Sequence, residues 1–283
     1  MTSRYADMFG SRARDGEGAL GIFTMLGDPD PGSCLACLDA IVAGGADMVE
    51  VGIPFSDPIA DGPVIQAAAE RALRAGVRTA DCLEMIADFR QRHPTVPLGV
   101  LTYANLVVAR GIDAFCQQLA DAGGDSLLIA DVPSIEVGPY AAAARRAALD
   151  LVMIAATNTP GATLQRIAAA GSGYTYCVAR AGVTGADREV HFNGHPALFA
   201  ALAAAGAPPP VLGFGIATPD HVRTAIDSGA AGVISGSAIV RQIAEGISVE
   251  RLRSQVASLK QATRPLAAAT LSGPAGQRVR PCA

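Results

Sequence analysis

Apolar residues recur along this chain in two alternating rhythms. Short runs rich in Val, Ile, Leu and Met read as strands at 21–26, 48–54, 98–102, 126–130, 151–155, 174–178, 211–214 and 232–235. Between them the apolar positions return every three to four residues, the period of a helix with one buried face. Such stretches occur at 31–43, 63–75, 80–92, 112–122, 136–148, 163–170, 196–205, 219–228, 238–245 and 249–262. A further polar–apolar helix is predicted over 3–15, ahead of the first strand. Strands alternating with helices imply parallel βαβ units. The count of eight favours closure into an α/β fold, a single (β/α)8 TIM barrel with an extra N-terminal helix; a doubly wound open sheet is the alternative. No Gly-x-Gly-x-x-Gly follows the first strand, which argues against a dinucleotide-binding domain.

Length fits that reading. A barrel takes about 250 residues, so the 283 residues are expected to hold one catalytic domain, 1–263, and a Pro/Gly/Ala-rich, flexible and disordered tail, 264–283. Half the residues are hydrophobic and the formal net charge is −4, so there is no electrostatic case for nucleic acid or an anionic membrane. No apolar run approaches the roughly 18 residues of a membrane span. The N-terminus is too polar for a secretory signal, and a cytoplasmic location is expected.

Few residues offer metal or covalent chemistry. Cys34-Leu-Ala-Cys37 lies in a helical pattern with no second pair, and is expected to be two small helix residues rather than a redox or zinc motif. His191 and His195 are four apart, but Gly194 and Pro196 interrupt a helix there, and they read as solvent-exposed loop residues. The single lysine, Lys260, falls in the last helix, which argues against a Schiff-base aldolase. No histidines cluster at strand ends, which argues against a zinc aldolase.

The stretch 47–63 carries the chemistry. An apolar strand holds one carboxylate, Glu50, and then breaks at Pro54 into a loop carrying Asp57 and Asp61. Both faces of a covered parallel sheet are dry, so a carboxylate there is either paired or held for reaction. Glu50 in the dry strand and Asp61 on the loop are expected to have separated pKa values and to divide acid and base work. The seventh and eighth strands lead into Gly213-Phe-Gly-Ile-Ala-Thr218 and Ser235-Gly-Ser-Ala238, each followed by a helix. Glycines and helix N-termini on adjacent strands point to a phosphate site; helix capping by Thr218 and by Ser235 or Ser237 is the plainer reading. The loop 179–194 is a candidate lid. Phe23, Leu101, Tyr103, Leu128, Tyr176 and Phe214 fall near strand ends and suit a flat apolar group. What remains is carbon–carbon cleavage or isomerisation of a phosphorylated substrate by carboxylates.

The run Glu50-Val-Gly-Ile-Pro-Phe-Ser-Asp-Pro-Ile-Ala-Asp-Gly-Pro63 closely resembles the signature of the tryptophan synthase alpha chain family. So do Tyr103-Ala-Asn-Leu106, Ala130-Asp-Val-Pro133, Tyr174-Thr-Tyr176, Arg180-Ala-Gly-Val-Thr-Gly185, Gly213-Phe-Gly-Ile216 and Ser235-Gly-Ser-Ala-Ile-Val240, in colinear order from about 4 to 262. The resemblance implies a lyase of tryptophan biosynthesis that cleaves indole-3-glycerol phosphate to indole and glyceraldehyde 3-phosphate. It implies Glu50 as the acid/base and Asp61 as its partner. It places phosphate on Gly185, Gly215, Gly236 and Ser237, and indole among Phe23, Leu101, Leu128 and Tyr176, with Thr184 and Phe214 also touching substrate. No metal or cofactor is implied for this chain; pyridoxal phosphate belongs to a beta chain expected in an alpha2-beta2 complex. Docking would use Ser56, Asp57, Pro58, Asn105 and Pro133. Ile22, Met25, Thr102 and the segments 155–160 and 187–194 depart from the family pattern. They leave two alternatives: a free-standing indole-3-glycerol phosphate lyase of a secondary pathway, and a weakly active copy that mainly binds and activates a beta chain.

Overall fold

The computed structural model describes residues 3–178 and 194–265. Its strands are β1 (Ala19–Met25), β2 (Met48–Gly52), β3 (Leu98–Thr102), β4 (Ser126–Ile129), β5 (Asp150–Leu151), β6 (Met153–Ala156), β7 (Thr175–Val178), β8 (Pro210–Leu212) and β9 (Gly232–Ser235). The helices are α1 (Arg4–Asp15), α2 (Pro31–Ala43), α3 (Pro63–Arg74), α4 (Thr79–Arg92), α5 (Ala104–Val108), α6 (Ile112–Asp121), α7 (Gly138–Arg146), α8 (Gly161–Ala170), α9 (His195–Ala204), α10 (Pro219–Asp227), α11 (Ser237–Ala244) and α12 (Val249–Gln261).

All strand pairs are parallel, in the order β5-β4-β3-β2-β1-β9-β8-β7-β6. The two ends of that order are one strand interrupted at Val152. β5 pairs with β4 and β6 with β7, and the Val152 amide still donates to Leu127 O at 3.0 Å. The chain itself therefore joins the edges, giving the expected (β/α)8 barrel. The fifth strand differs from expectation only in this break: it leaves β4 after Leu151 and turns to β7.

Alternation along each strand divides the core in two. One apolar cluster fills the barrel, with Phe23, Met48, Leu128, Val152, Tyr176 and Ile234. The other packs the outer strand faces against the helices, with Leu20, Val49, Val51, Leu98 and Leu127.

The N-terminal helix closes the floor. Ser3 caps α1, accepting from the Tyr5 amide at 3.2 Å, and donates to Asp150 at 2.6 Å. Arg4 reaches Asp125 at 2.6 Å. Asp125 and Asp150 stand where β4 and β5 begin, so α1 covers the N-terminal end of the barrel. Tyr5, 1% exposed, enters it: its hydroxyl and that of Ser126 are hydrogen-bonded at 2.9 Å, and its ring lies 5.3 Å from Tyr174. Lys260 of α12 binds Asp47 at 2.7 Å and Glu17 at 3.3 Å. These precede β2 and β1, so the lone lysine sits at the end opposite the strand exits.

Among the described residues no helix is long and apolar enough to cross a membrane. Residues 179–193 of the candidate lid and most of the tail, with Thr184, Gly185, His191 and Cys282, lie outside them.

Candidate active site

Glu50 is the middle residue of β2. It pairs in register with Phe23 of β1 and Gly99 of β3, which turns its side chain into the barrel. It is 2% exposed. The Tyr174 hydroxyl, from the residue before β7, donates to Glu50 Oε1 at 2.8 Å, while Oε2 is buried without a partner. Burial raises the Glu50 pKa to about 7; the Tyr174 bond works against the rise, and the negative Asp61 adds to it. Gly99, the register partner of Glu50 in β3, leaves room for the hydrogen-bonded hydroxyls of Tyr5 and Ser126. A methyl group there would stand 2.6 Å from the Ser126 hydroxyl and 2.8 Å from that of Tyr5.

Asp61 closes the loop between β2 and α3. The sequence suggests a carboxylate on an open loop; instead Asp61 is 7% exposed, because the loop folds back over the barrel mouth. Tyr103 holds that fold: its hydroxyl accepts from the Ala60 amide at 3.2 Å and its ring stacks on Phe55. Gln66 in α3 donates to the Asp61 carbonyl at 2.7 Å. Burial raises the Asp61 pKa to about 6, opposed by Tyr103. The expected separation between the carboxyls is therefore modest, since both are dry.

At the strand exits a pocket opens to solvent; Glu50 is not on its wall, but Phe23, its register partner in β1, is. Phe23, Leu101, Tyr176, Phe214 and Asp61 line one part of it, and Gly215, Gly236 and Ser237 another. Leu128 is not on the wall; it pairs with Leu101 in register and supports it from the side. Sequence patterns missed Ile65, in the first turn of α3, and Ile216, both on the wall. They also missed Tyr174 as the partner of Glu50, although its alternation with Tyr176 already places the two on one face. Gly213 leaves room for an aromatic ring. Any side chain there would overlap the ring of Tyr176, whose hydroxyl donates to Gly213 O at 2.9 Å.

The glycine end of the pocket has the chemistry of an anion site. Gly215 has φ +74°, a backbone state that favours glycine. α11 starts at Ser237 with Gly236 as its cap residue and no side-chain cap, so its first amides are not taken by a capping side chain. Ser235 is not a cap; its hydroxyl donates to Ile216 O at 2.7 Å and ties the two loops together. Thr218 is a cap, accepting from the His221 amide at 3.3 Å, as the plainer reading has it for that helix.

At the rim of the same barrel end Asp57 is exposed and Pro58 is half-buried, and Asn105 and Pro133 lie on the neighbouring connections. Ser56 donates to Asp57 at 2.5 Å. The exposed apolar side chains Ile59, Val108 and Ile135 sit on the same three connections. Of the family departures, Ile22 and Met25 are buried, and Thr102 is buried with no partner for its hydroxyl.

One histidine corrects the sequence reading. His195 is not an exposed loop residue: it opens α9, is 0% exposed and lies 5.9 Å from the Phe199 ring. Gly194, at φ +91°, ends the loop before it, and Pro196 sits in the first helical turn, where no intrahelical N–H bond is forfeited. Cys34 and Cys37 are buried in α2 as free thiols, and burial pushes Cys34 to about 12. Among the described residues no cluster of His, Cys, Asp and Glu could hold a metal.

Residues 9–271 match the family model described as tryptophan synthase alpha chain. The chain is 49% identical over 266 residues to a tryptophan synthase alpha chain of Klebsiella pneumoniae, covering 92% of this chain and 98% of that one. To one from Escherichia coli it is 47% identical over 269 residues, covering 95% and 99%. The fold is similar to a structure of Mycobacterium tuberculosis tryptophan synthase, with TM-score 0.85, 33% identity and coverage of 94% and 100%. It is equally similar to a tryptophan synthase subunit alpha from Legionella pneumophila, with TM-score 0.85, 28% identity and coverage of 93% and 99%.

Proposed function

The chain belongs to the tryptophan synthase alpha chain family, and from that premise we propose that it cleaves indole-3-glycerol phosphate to indole and glyceraldehyde 3-phosphate in tryptophan biosynthesis. The observation that carries this reading is Glu50: a buried carboxyl with a free Oε2 and a pKa of about 7, in register with Phe23 on the wall of a pocket that has an apolar part and a glycine-lined part.

Retro-aldol cleavage needs a proton delivered and a proton removed. Glu50 in its acid form protonates indole C3, giving an indolenine cation. The resulting carboxylate then takes the proton of the side-chain hydroxyl on the carbon bonded to C3. The bond from C3 to that carbon breaks, its electron pair restores the aromatic ring, and the hydroxyl carbon becomes the aldehyde. A group near pH 7 has both forms available. Asp61, ionised above about pH 6, accepts a hydrogen bond from the indole N–H and steadies the positive charge that builds there.

Phe23, Leu101, Tyr176 and Phe214, with Leu128 behind them, hold the indole. Gly215, Gly236 and Ser237 take the phosphate, with Thr184 and Gly185 of the 179–194 loop completing the site. These steps draw on no cofactor in this chain. We assign pyridoxal phosphate to a beta chain that docks on the rim formed by Asp57, Pro58, Asn105 and Pro133 in an alpha2-beta2 complex. Support comes from Ile59, Val108 and Ile135, which expose apolar surface on those three connections. Residues 1–263 act as one catalytic domain in the cytoplasm.

Indole release from indole-3-glycerol phosphate by the purified chain, alone and with a beta chain, tests the reading. Turnover stimulated by the beta chain and lost in Glu50→Gln is expected. Fast turnover indifferent to the beta chain means a free-standing lyase. Tight beta-chain binding without any indole means a binding subunit.

A further inference from the structure

One buried side chain with no part in these proton transfers grips the Asp61 loop at two points. Tyr103 follows β3 and is 2% exposed. Its ring stacks on Phe55, early in the loop between β2 and α3, with centroids 5.3 Å apart and planes at 29°. Its hydroxyl accepts from the Ala60 amide at 3.2 Å, late in the same loop. The hydroxyl proton remains for the neighbouring Asp61 carboxyl, whose ionised form it favours. The anchor is itself anchored: the Ala104 amide donates to Asp131 Oδ1 at 2.8 Å, which pins the start of α5 to the connection after β4.

We propose that Tyr103 is a positioning residue for Asp61: ring and hydroxyl together hold the loop so that the carboxylate stands at the pocket wall where the indole N–H arrives. The proposal rests on the reaction assigned above and adds a residue to it. A loop carboxylate left to itself turns toward water, and a small misplacement of a charge-stabilising group costs much of its effect. Burial, followed by the charge of Asp61, drives the Tyr103 pKa upward, so it stays a neutral donor. Around this pair the charge of Asp61 raises Glu50 of β2 and Tyr176 of β7, and Asp131 raises Tyr103.

Tyr103→Phe and Phe55→Leu in the full chain separate positioning from packing. The first removes only the hydroxyl; the second weakens only the stack. Circular dichroism confirms that both fold. With indole-3-glycerol phosphate, Tyr103→Phe is expected to lower kcat/KM about tenfold or more. The deficit should be larger near pH 6 than near pH 8, because Asp61 has lost a group that keeps it ionised. Phe55→Leu should lower kcat/KM by the same factor at both. The Asp61 carboxyl, followed by 13C NMR in Tyr103→Phe, should titrate at higher pH than in the wild type. Wild-type kcat/KM throughout, or a pH-independent loss with unmoved Asp61 titration, overturns the proposal. If the wild type releases no indole, the reaction assignment fails, and the NMR titration still decides: a shift upholds the tie between Tyr103 and Asp61, and no shift refutes it.

Discussion

The Tyr174 hydroxyl holds one oxygen of Glu50 at 2.8 Å and leaves the other without a partner. One oxygen is oriented; in the proposed reaction the second is free to carry the proton. Tyr174 also favours the ionised form, and so restrains the rise that burial imposes.

Tyr174→Phe removes both effects. The Glu50 pKa should climb further, and the alkaline limb of the pH–rate profile, where Glu50 loses its proton, should move to higher pH. The rate below that limb should fall about tenfold for loss of the buried hydrogen bond that orients the carboxyl. Steady-state indole release across pH measures both, and an unmoved limb would contradict the assignment.

Glu50 also makes stability depend on pH. Its ordinary value is 4.5, and in the barrel it keeps its proton to about 7. Below 4.5 both folded and unfolded chains hold the proton, and Glu50 adds no pH dependence. As pH rises from 4.5 through 7 the unfolded chain ionises first, so the folded state loses ground. The penalty is complete above about pH 7, at roughly 3 kcal/mol as an order of magnitude. Glu50→Gln should therefore raise the unfolding free energy at mildly alkaline pH relative to wild type by more than in mild acid, while abolishing indole release. Urea denaturation under the two conditions checks this; equal changes in both would rule it out.

Gly213→Ala should leave the fold intact and damage the pocket. Its methyl group must displace the Tyr176 ring and the hydrogen bond from Tyr176 to Gly213 O. Overpacking of this kind costs about 1–3 kcal/mol. We expect a raised KM for indole-3-glycerol phosphate and weaker binding of free indole, both read by titration. Unchanged values would mean that Tyr176 does not contact the indole.

Asp28, fully buried just after β1, has both oxygens bonded by Arg71 of α3, at 2.7 and 3.0 Å. Arg71→Met leaves that carboxylate dry and alone, and should cost on the order of 3 kcal/mol. Asp28→Asn combined with Arg71→Met should cost less than the two single changes added together. Strict additivity in urea denaturation would show that the pair is not coupled.

Most of the barrel was legible because both of its periods are strong. A carboxylate at Glu50 within an apolar run is visible in one dimension, as are the glycines after the seventh and eighth strands. Other features needed the third dimension. α5 has too few residues to show a period. Asp61 is buried only because its loop turns back against Tyr103, a residue of another connection. Tyr174 meets Glu50 across the barrel interior. The error at His195 came from treating Gly194 and Pro196 as helix breakers, when one ends a loop and the other suits the first turn. Resemblance to a family supplied the substrate; strand register brought the apolar side chains together on one wall.

The floor of the barrel has a bearing on the order of events at the ribosome. Tyr5 precedes its hydroxyl partner Ser126 by 121 positions, and Tyr174, against whose ring it rests, comes later still. The plug is made before the socket that receives it. Only once the seventh strand has been made can Tyr174 settle against Tyr5 and Glu50 acquire its hydrogen bond. The hydrogen bond that orients the Glu50 carboxyl therefore needs the seventh strand in place.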